Sequence, residues 1–95
     1  MILHRSDAAA RDVEDIWFFI AQDSERAADR VIDRLQDAAR RLSAFPRMGL
    51  AREDLAPGLR ALRVDNFVIF YRLIDDTLSV ERILHARLDV TQIVF

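Results

Sequence analysis

The chain has 95 residues, of which 52% are hydrophobic and 32% are charged, and its formal net charge is −2. This size and balance predict one folded domain, residues 1–95, and exclude an intrinsically disordered chain. The absence of Cys excludes a disulfide framework and a thiol nucleophile, and no run of about 18 apolar residues is present to span a membrane.

The N-terminal part of the sequence predicts a short strand and an amphipathic helix. Ile2–Arg5 is the strand, and Ser6 is placed to cap a helix over about 7–21. Phe18 and Phe19 fall outside the apolar stripe of that helix, so the helix is apolar over more than one face. The stripe itself consists of Val13, Ile16, Trp17 and Ile20, which recur at helical spacing.

A second helix is predicted over about 25–44, with Ser24 as its cap and Pro46 as its end. Its apolar residues step by three and four along one face, and its other face is charged, so it is expected to pair with the first helix through a short turn. The apolar face consists of Ala28, Val31, Leu35, Ala38, Leu42 and Phe45.

Three strands are predicted after the helices, over Leu59–Val64, Phe67–Ile74 and Thr77–His85. The pairs Asp65–Asn66 and Asp75–Asp76 are two-residue turns between them. Phe67–Ile74 is almost continuously apolar, which is typical of a central strand covered on both faces. The resulting order β-α-α-β-β-β predicts an α+β domain in which a helical hairpin packs on a small, mainly antiparallel sheet.

Few residues suggest a cofactor or metal. Gly49 and Gly58 lie outside any phosphate-binding pattern and are interpreted as turn residues. His4 and His85 lack carboxylate partners at metal-binding spacing, so neither a metal nor a cofactor is expected. The N-terminal Met1–Ser6 is too short and too polar for a signal peptide, so a cytoplasmic protein is expected, with no membrane partner.

Arginines gather on or beside the three predicted strands and allow two interpretations. Arg60 and Arg72 share a sheet face in some registers, and such a cluster suits a phosphate or carboxylate surface. The alternative is a set of scattered solvent arginines with one structural ion pair to Asp89. The full set is Arg60, Arg63, Arg72, Arg82 and Arg87. With a net charge of −2, direct binding to nucleic acid is not expected.

The aromatic residues also have two interpretations. Phe67, Phe70 and Tyr71 are interpreted as core residues of the central strand rather than as base-stacking residues. Phe18, an aromatic outside the helical stripe, indicates either a partner surface or contact with an unseen loop.

Taken in order, these segments resemble the ParE branch of the RelE/ParE superfamily of bacterial toxins, over nearly the whole chain. Asp12–Ala21 resembles the Asp-Leu-x-x-Ile-x-x-Tyr-Ile pattern of the first ParE helix. The second helix and loop match through Ala27, Ala28, Ile32, Leu42, Phe45, Pro46, Gly49 and Arg52. The strands match through Gly58–Arg60, Val68–Arg72, Arg82–His85, Arg87 and Asp89.

The resemblance implies the toxin of a type II toxin–antitoxin system, a non-enzymatic inhibitor of DNA gyrase that a ParD-type antitoxin neutralises. It also implies that an antitoxin helix lies against the helical hairpin, which suits the wide apolar surface of the first helix. The expected antitoxin contacts are Val13, Trp17, Phe18, Ile20 and Leu35. The expected target contacts are Arg60, Arg72, Arg82, Arg87 and Phe95. The tail that ends in Phe95 is otherwise interpreted as an edge strand or a hydrophobic plug.

The RelE branch has a similar fold but cleaves ribosome-bound mRNA with basic residues, often Lys, and a Tyr or His near the C-terminal end. This sequence has no Lys, and no Tyr or His follows Asp89. Since proton transfer needs a group that titrates, a ribonuclease would depend on His85, assisted by Arg60 and Arg72. Such a ribonuclease and a non-toxic antitoxin-binding module are the alternatives to the gyrase inhibitor.

Overall fold

The computed structural model describes residues 1–95 and confirms the predicted α+β class, with two helices on one face of a five-stranded sheet. The predicted order holds, with a two-residue strand and a final 3-10 turn added to it. In chain order the elements are β1 (Ile2–Arg5), α1 (Asp7–Ala21), α2 (Glu25–Ala44), β2 (Leu50–Ala51), β3 (Arg60–Val64), β4 (Phe67–Ile74), β5 (Thr77–His85) and the 3-10 turn Val90–Gln92. Neither helix is long and apolar enough to cross a membrane.

Both helices begin at the predicted serine caps. The Ser6 hydroxyl accepts a hydrogen bond from Ala9 N at 3.0 Å, and the Ser24 hydroxyl accepts one from Ala27 N at 3.1 Å. Ser6 also donates to the carbonyl of Glu81 at 2.7 Å, which ties the start of α1 to β5. These contacts satisfy backbone groups that a helix start leaves without partners.

The helix α2 ends one residue before the predicted apolar face does. Phe45 is the C-terminal cap, and its φ of −131° and ψ of 72° turn the chain out of the helix. Its side chain is therefore 67% exposed, and the prediction that Phe45 belongs to the core face is wrong. Pro46 follows directly, as expected where a helix stops.

The strand order in the sheet is β1-β5-β4-β3-β2. The strand β1 lies parallel to β5, and the other pairs are antiparallel. Asp65 and Asp75 both adopt a φ of 53°, a conformation that Asp tolerates in two-residue turns. The strand order makes β4 the central strand of the sheet, as predicted.

Two apolar clusters cover the two faces of the sheet. The larger lies between the helices and the sheet and contains Ala9, Leu35, Ala38, Leu42, Ile69, Tyr71, Leu78, Val80 and Ile83. The smaller lies on the other face and contains Ala56, Leu59, Phe70 and Leu84, with Val90, Ile93 and Phe95 packed against it. Alternating residues of β4 enter both clusters, which explains why the sequence of this strand is almost continuously apolar.

Candidate functional site

Two phenyl rings stand in solvent near the C-terminal end of α1. The side chains of Phe18 and Phe19 are 65% and 75% exposed. Trp17 packs edge-on against Phe18 at 5.3 Å between ring centroids and donates its indole N–H to Asp29 Oδ1 at 2.8 Å. We call Trp17, Phe18 and Phe19 the α1 aromatic surface. Adjacent exposed rings on a regular helix mark an interaction surface, because burying them in a partner removes much apolar area from water.

Phe19 also borders an open cleft of about 560 Å³ between the helical hairpin and the β3–β4 turn. Its apolar walls are formed by Ile16, Phe19, Ile20, Val31, Phe67, Ile83 and Leu84. Its polar residues are Asp12, Asp15, Arg34, Asp65, Asn66 and His85. Arg34 and Asp65 form an ion pair beside the cleft, which therefore combines apolar walls with a polar rim. It suits apolar side chains that an amphipathic segment presents.

A smaller groove of about 270 Å³ lies between β1 and α2. Leu3 and Val13 line it near the sheet edge, and Arg5 and Arg40 stand beside it. The strand β1 has one side paired with β5, and all four of its residues are exposed. The groove therefore continues the apolar surface of the hairpin toward an accessible strand.

The predicted antitoxin contacts fall into three groups. Phe18 is exposed. The other three surface residues are half-buried: Val13 lines the smaller groove, Trp17 belongs to the α1 aromatic surface, and Ile20 lines the cleft. Leu35 lines the smaller groove but is only 3% exposed and packs in the larger core cluster, so the structure corrects its assignment as a surface contact. Sequence reasoning left Phe19 out of the contact set, although its position outside the apolar stripe was the available signal.

The arginines do not form one cluster. Arg60 lies opposite Tyr71 in the sheet register, whereas Arg72 is the next residue along β4. Successive side chains of a strand point to opposite faces, so Arg60 and Arg72 lie on opposite faces of the sheet. Arg60 donates to the carbonyls of Arg47 and Gly49 at 3.0 and 2.6 Å, and it holds the loop after α2 in place.

Arg72 holds the C-terminal tail against the second face of the sheet. It donates to the backbone oxygens of Pro57 and Phe95, both at 3.2 Å, and lies 3.6 Å from a carboxylate oxygen of Glu81. The Phe95 ring packs at 4.8 Å from the Phe70 ring. The tail is therefore a hydrophobic plug, one of its two predicted roles, and it is not an edge strand.

Arg82 is engaged by Asp12 of α1 rather than by Asp89. Its Nε and Nη2 atoms donate to the two Asp12 carboxylate oxygens at 2.8 and 2.9 Å. The hydrogen bond to Asp12 raises the pKa of Arg82, against a smaller opposing effect of burial. Asp89 instead accepts from the Thr91 amide and hydroxyl at the start of the 3-10 turn. Of the predicted target arginines, Arg87 alone is exposed, and the other three are half-buried.

His85 stands apart from the arginines proposed to assist it. Its Nδ1 accepts a hydrogen bond from the Arg87 amide at 3.1 Å, and its ring packs edge-on against Phe67 at 5.5 Å. In the sheet, His85 lies opposite Phe67, and Arg60 lies opposite Tyr71. Because Phe67 and Tyr71 are four residues apart on β4, His85 and Arg60 are about 13 Å apart along the strand direction. With Arg72 on the other face, the three residues do not share a site. No group of His, Cys, Asp and Glu gathers as metal ligands do.

The chain matches the family model described as the ParE toxin of type II toxin–antitoxin systems, parDE, over residues 3–90. It is 36% identical to toxin ParE1 of Mycobacterium tuberculosis over 87 residues, which cover 90% of this chain and 89% of that one. It is 38% identical to toxin ParE3 of Caulobacter vibrioides over 65 residues, or 68% of this chain, and the match spans 65% of that relative's length.

Two solved structures share the fold. One is a chromosomal ParDE toxin–antitoxin system from P. aeruginosa, with a TM-score of 0.79, 20% identity, and coverage of 92% of this chain and 97% of that one. The other is the toxin–antitoxin complex RelBE2 from Mycobacterium tuberculosis, with a TM-score of 0.65, 21% identity, and coverage of 88% and 95%. These two structures support the fold, and the family model and the sequence relatives show that this chain belongs to the ParE toxin family of type II toxin–antitoxin systems.

Proposed function

We propose that this ParE-family toxin acts by binding and inhibiting DNA gyrase, and that a ParD-type antitoxin neutralises it by covering the hairpin. The observation that carries the non-enzymatic part is the separation of His85 from Arg60 and Arg72. Acid–base catalysis requires a titrating group within hydrogen-bond reach of the reacting atoms, beside the groups that stabilise charge. The arginines here serve the fold instead, since Arg60 fixes a loop and Arg72 fixes the tail.

The α1 aromatic surface supports the antitoxin part of the proposal. Phe18 and Phe19 are 65% and 75% exposed, and Phe19 also borders the cleft with its apolar walls. A helix of the antitoxin that lies across α1 and inserts apolar side chains into this cleft would bury both rings. The name of the P. aeruginosa structure, a ParDE system, supports a ParD-type partner.

A supercoiling assay tests the gyrase target. Folded, purified toxin at micromolar concentration is expected to inhibit supercoiling by gyrase or to trap cleaved DNA, and stoichiometric antitoxin is expected to restore activity. Relaxation by a type I topoisomerase serves as the control for general effects on DNA. Full supercoiling activity in the presence of folded toxin would contradict the gyrase target.

A translating extract tests the ribonuclease alternative. Site-specific mRNA cleavage by the wild-type toxin that disappears in His85→Ala would establish that alternative. Intact transcripts at a dose that arrests growth exclude it. If expression of the toxin without antitoxin leaves growth unchanged while the antitoxin still binds, the chain is the non-toxic binding module instead.

A further inference from the structure

A second exposed apolar surface lies where α2 ends. Phe45, Met48 and Leu50 are 67%, 43% and 76% exposed, and they lie within six residues of one another in the chain. We call these three residues, together with Arg41 and Arg47, the Phe45 surface. Leu50 pairs with Ala61, whose other partner Phe70 belongs to the smaller cluster, so Leu50 lies on the sheet face away from the helices and the surface wraps around the sheet edge at β2. Exposed large apolar side chains that lie close together in a short segment often mark a partner site.

The Phe45 surface lies in the most basic stretch of an acidic chain. Residues 38–52 contain four Arg and no Asp or Glu, although the whole chain has a net charge of −2. Arg40 pairs with Asp37, and Arg52 pairs with Asp54. Arg41 and Arg47 have no carboxylate within 4.0 Å. In the chain, the three apolar residues thus lie beside two arginines whose charge is free to meet an acidic partner.

The backbone beneath this surface is held firmly. Tyr71, which is fully buried, donates its hydroxyl to the Pro46 carbonyl at 2.7 Å and accepts from the Gly49 amide at 3.0 Å. Arg60 donates to the Gly49 carbonyl from the other side. A Cβ at Gly49 would lie 2.6 Å from the Tyr71 oxygen, so only glycine fits there. Because the loop is fixed, a partner would not have to order it on binding.

The Phe45 surface and the α1 aromatic surface lie at opposite ends of the hairpin. The end of α1 meets the start of α2, where the Trp17 indole donates a hydrogen bond to Asp29. Phe45, by contrast, follows the last residue of α2. The 20 residues of α2 separate the two ends by about 30 Å. One partner element at each end is therefore sterically possible.

We propose that the Phe45 surface is where the toxin docks its cellular target, and that the target presents an acidic protein surface with a pocket for apolar side chains. This inference rests on the proposed function, in which the antitoxin takes the α1 aromatic surface. Two of the three apolar residues, Met48 and Leu50, are not aromatic. A protein partner is therefore favoured over a nucleic acid, which would need arginines and stacking rings.

Two double variants test the surface, Phe45→Ser with Leu50→Ser and Arg41→Glu with Arg47→Glu. The matched control is Arg26→Glu with Arg30→Glu, since both residues are exposed arginines at the other end of α2.

The readouts are growth arrest on induction, binding to purified gyrase, and antitoxin affinity by calorimetry, each with a thermal melt to verify folding. Both surface variants should lose target binding and growth arrest by about tenfold or more and keep antitoxin affinity within about threefold, as expected for charge and apolar contacts. The control should keep its growth arrest.

Several results would overturn the inference. If both variants fold and still arrest growth as the wild type does, the Phe45 surface does not dock the target. A loss of antitoxin affinity with intact growth arrest would assign the surface to the antitoxin. Binding of a short DNA duplex by the wild type that the Arg41→Glu, Arg47→Glu variant loses would assign it to nucleic acid. If the wild type arrests growth without binding gyrase, only the proposal that gyrase is the target is contradicted. Growth arrest by the two variants then still tests whether the Phe45 surface docks the target. A wild type that does not arrest growth refutes both.

Discussion

Asp12 of α1 binds Arg82 of β5 through both carboxylate oxygens, and one of those oxygens also accepts the backbone N–H of Ile83 at 2.9 Å. The strand β1 pairs with β5 only as far as Val80, where Arg5 is the last partner. Beyond that point β5 has no strand on this side, and Asp12 supplies the acceptor that a strand would have provided. The same carboxylate thus joins the first helix to the sheet.

We expect Asp12→Ala to lower the free energy of unfolding by about 2–4 kcal/mol. The change leaves the Ile83 amide without its acceptor and Arg82 without its counter-charge, and an unpaired group costs more than the intact pair contributes. The Asp12 side chain is 10% exposed and that of Arg82 25% exposed, so solvent screens the pair only in part. Urea unfolding measures the difference.

The matched control is Asp37→Ala, which breaks the exposed pair with Arg40 on α2. Such surface pairs contribute little, so this variant should cost less than about 0.5 kcal/mol. Equal losses for Asp12→Ala and Asp37→Ala would show that Asp12 acts as an ordinary surface charge.

Tyr71→Phe is expected to cost about 1–3 kcal/mol, because it leaves the Gly49 amide and the Pro46 carbonyl without their shared partner in a buried site. Hydrogen exchange should report faster opening of the loop at Gly49 while the amides of β5 remain protected. A variant with unchanged stability and unchanged exchange would show that the loop is held by other contacts.

Much of the fold could be predicted from local signals. Ser6 and Ser24 are strong helix caps, and Asp65 and Asp75 accept the positive φ that their turns require. Register was less accessible, because it depends on how strands meet. The bulge between Phe70 and Tyr71, where β5 carries one extra residue, has no signature in the sequence.

The candidate site was less predictable, because burial depends on the tertiary fold. Helical spacing placed Leu35 on the apolar face, but it did not reveal that this face meets the sheet rather than a partner. Phe45 continued the same spacing, yet the helix stopped before it. Asp12 matched the first position of the ParE helix pattern, but nothing in the sequence paired it with Arg82, which lies 70 residues away in the chain.

Leu35→Ala should lower the free energy of unfolding by about 2–5 kcal/mol, because Leu35 is 3% exposed in the larger core cluster. Val94→Ala is the control, since its side chain is 93% exposed, and should cost less than about 0.5 kcal/mol. Thermal or urea unfolding of both variants makes the comparison. A cost below about 1 kcal/mol for Leu35→Ala would place the core face of α2 elsewhere.

The Asp89 carboxylate should titrate below its usual range. Its hydrogen bonds with the Thr91 hydroxyl and amide lower the pKa from the ordinary value of 3.8. Since the folded-state pKa is the lower one, this contact stabilises the tail above the ordinary pKa and is lost as the pH falls through the folded-state pKa. Thr91→Val removes the hydroxyl and should raise the Asp89 pKa in a carbon-detected NMR titration. An identical pKa in the variant would show that the hydroxyl does not act on Asp89.

Phe19→Ser should weaken antitoxin binding at least as much as Phe18→Asp. Both rings are exposed, but Phe19 also borders the cleft between the hairpin and the β3–β4 turn. A ring at the mouth of an apolar cleft contributes contact area on two sides when a helix is inserted. Each change is therefore expected to lower the antitoxin affinity tenfold or more, about 1.4 kcal/mol.

Calorimetry with purified antitoxin measures the affinities, and thermal melts within a few degrees of the wild type would show that the exposed changes spare the fold. Phe45→Ser, at the other end of the hairpin, is the matched control and should bind the antitoxin normally. Wild-type affinity for both α1 variants would remove the α1 aromatic surface from the antitoxin interface.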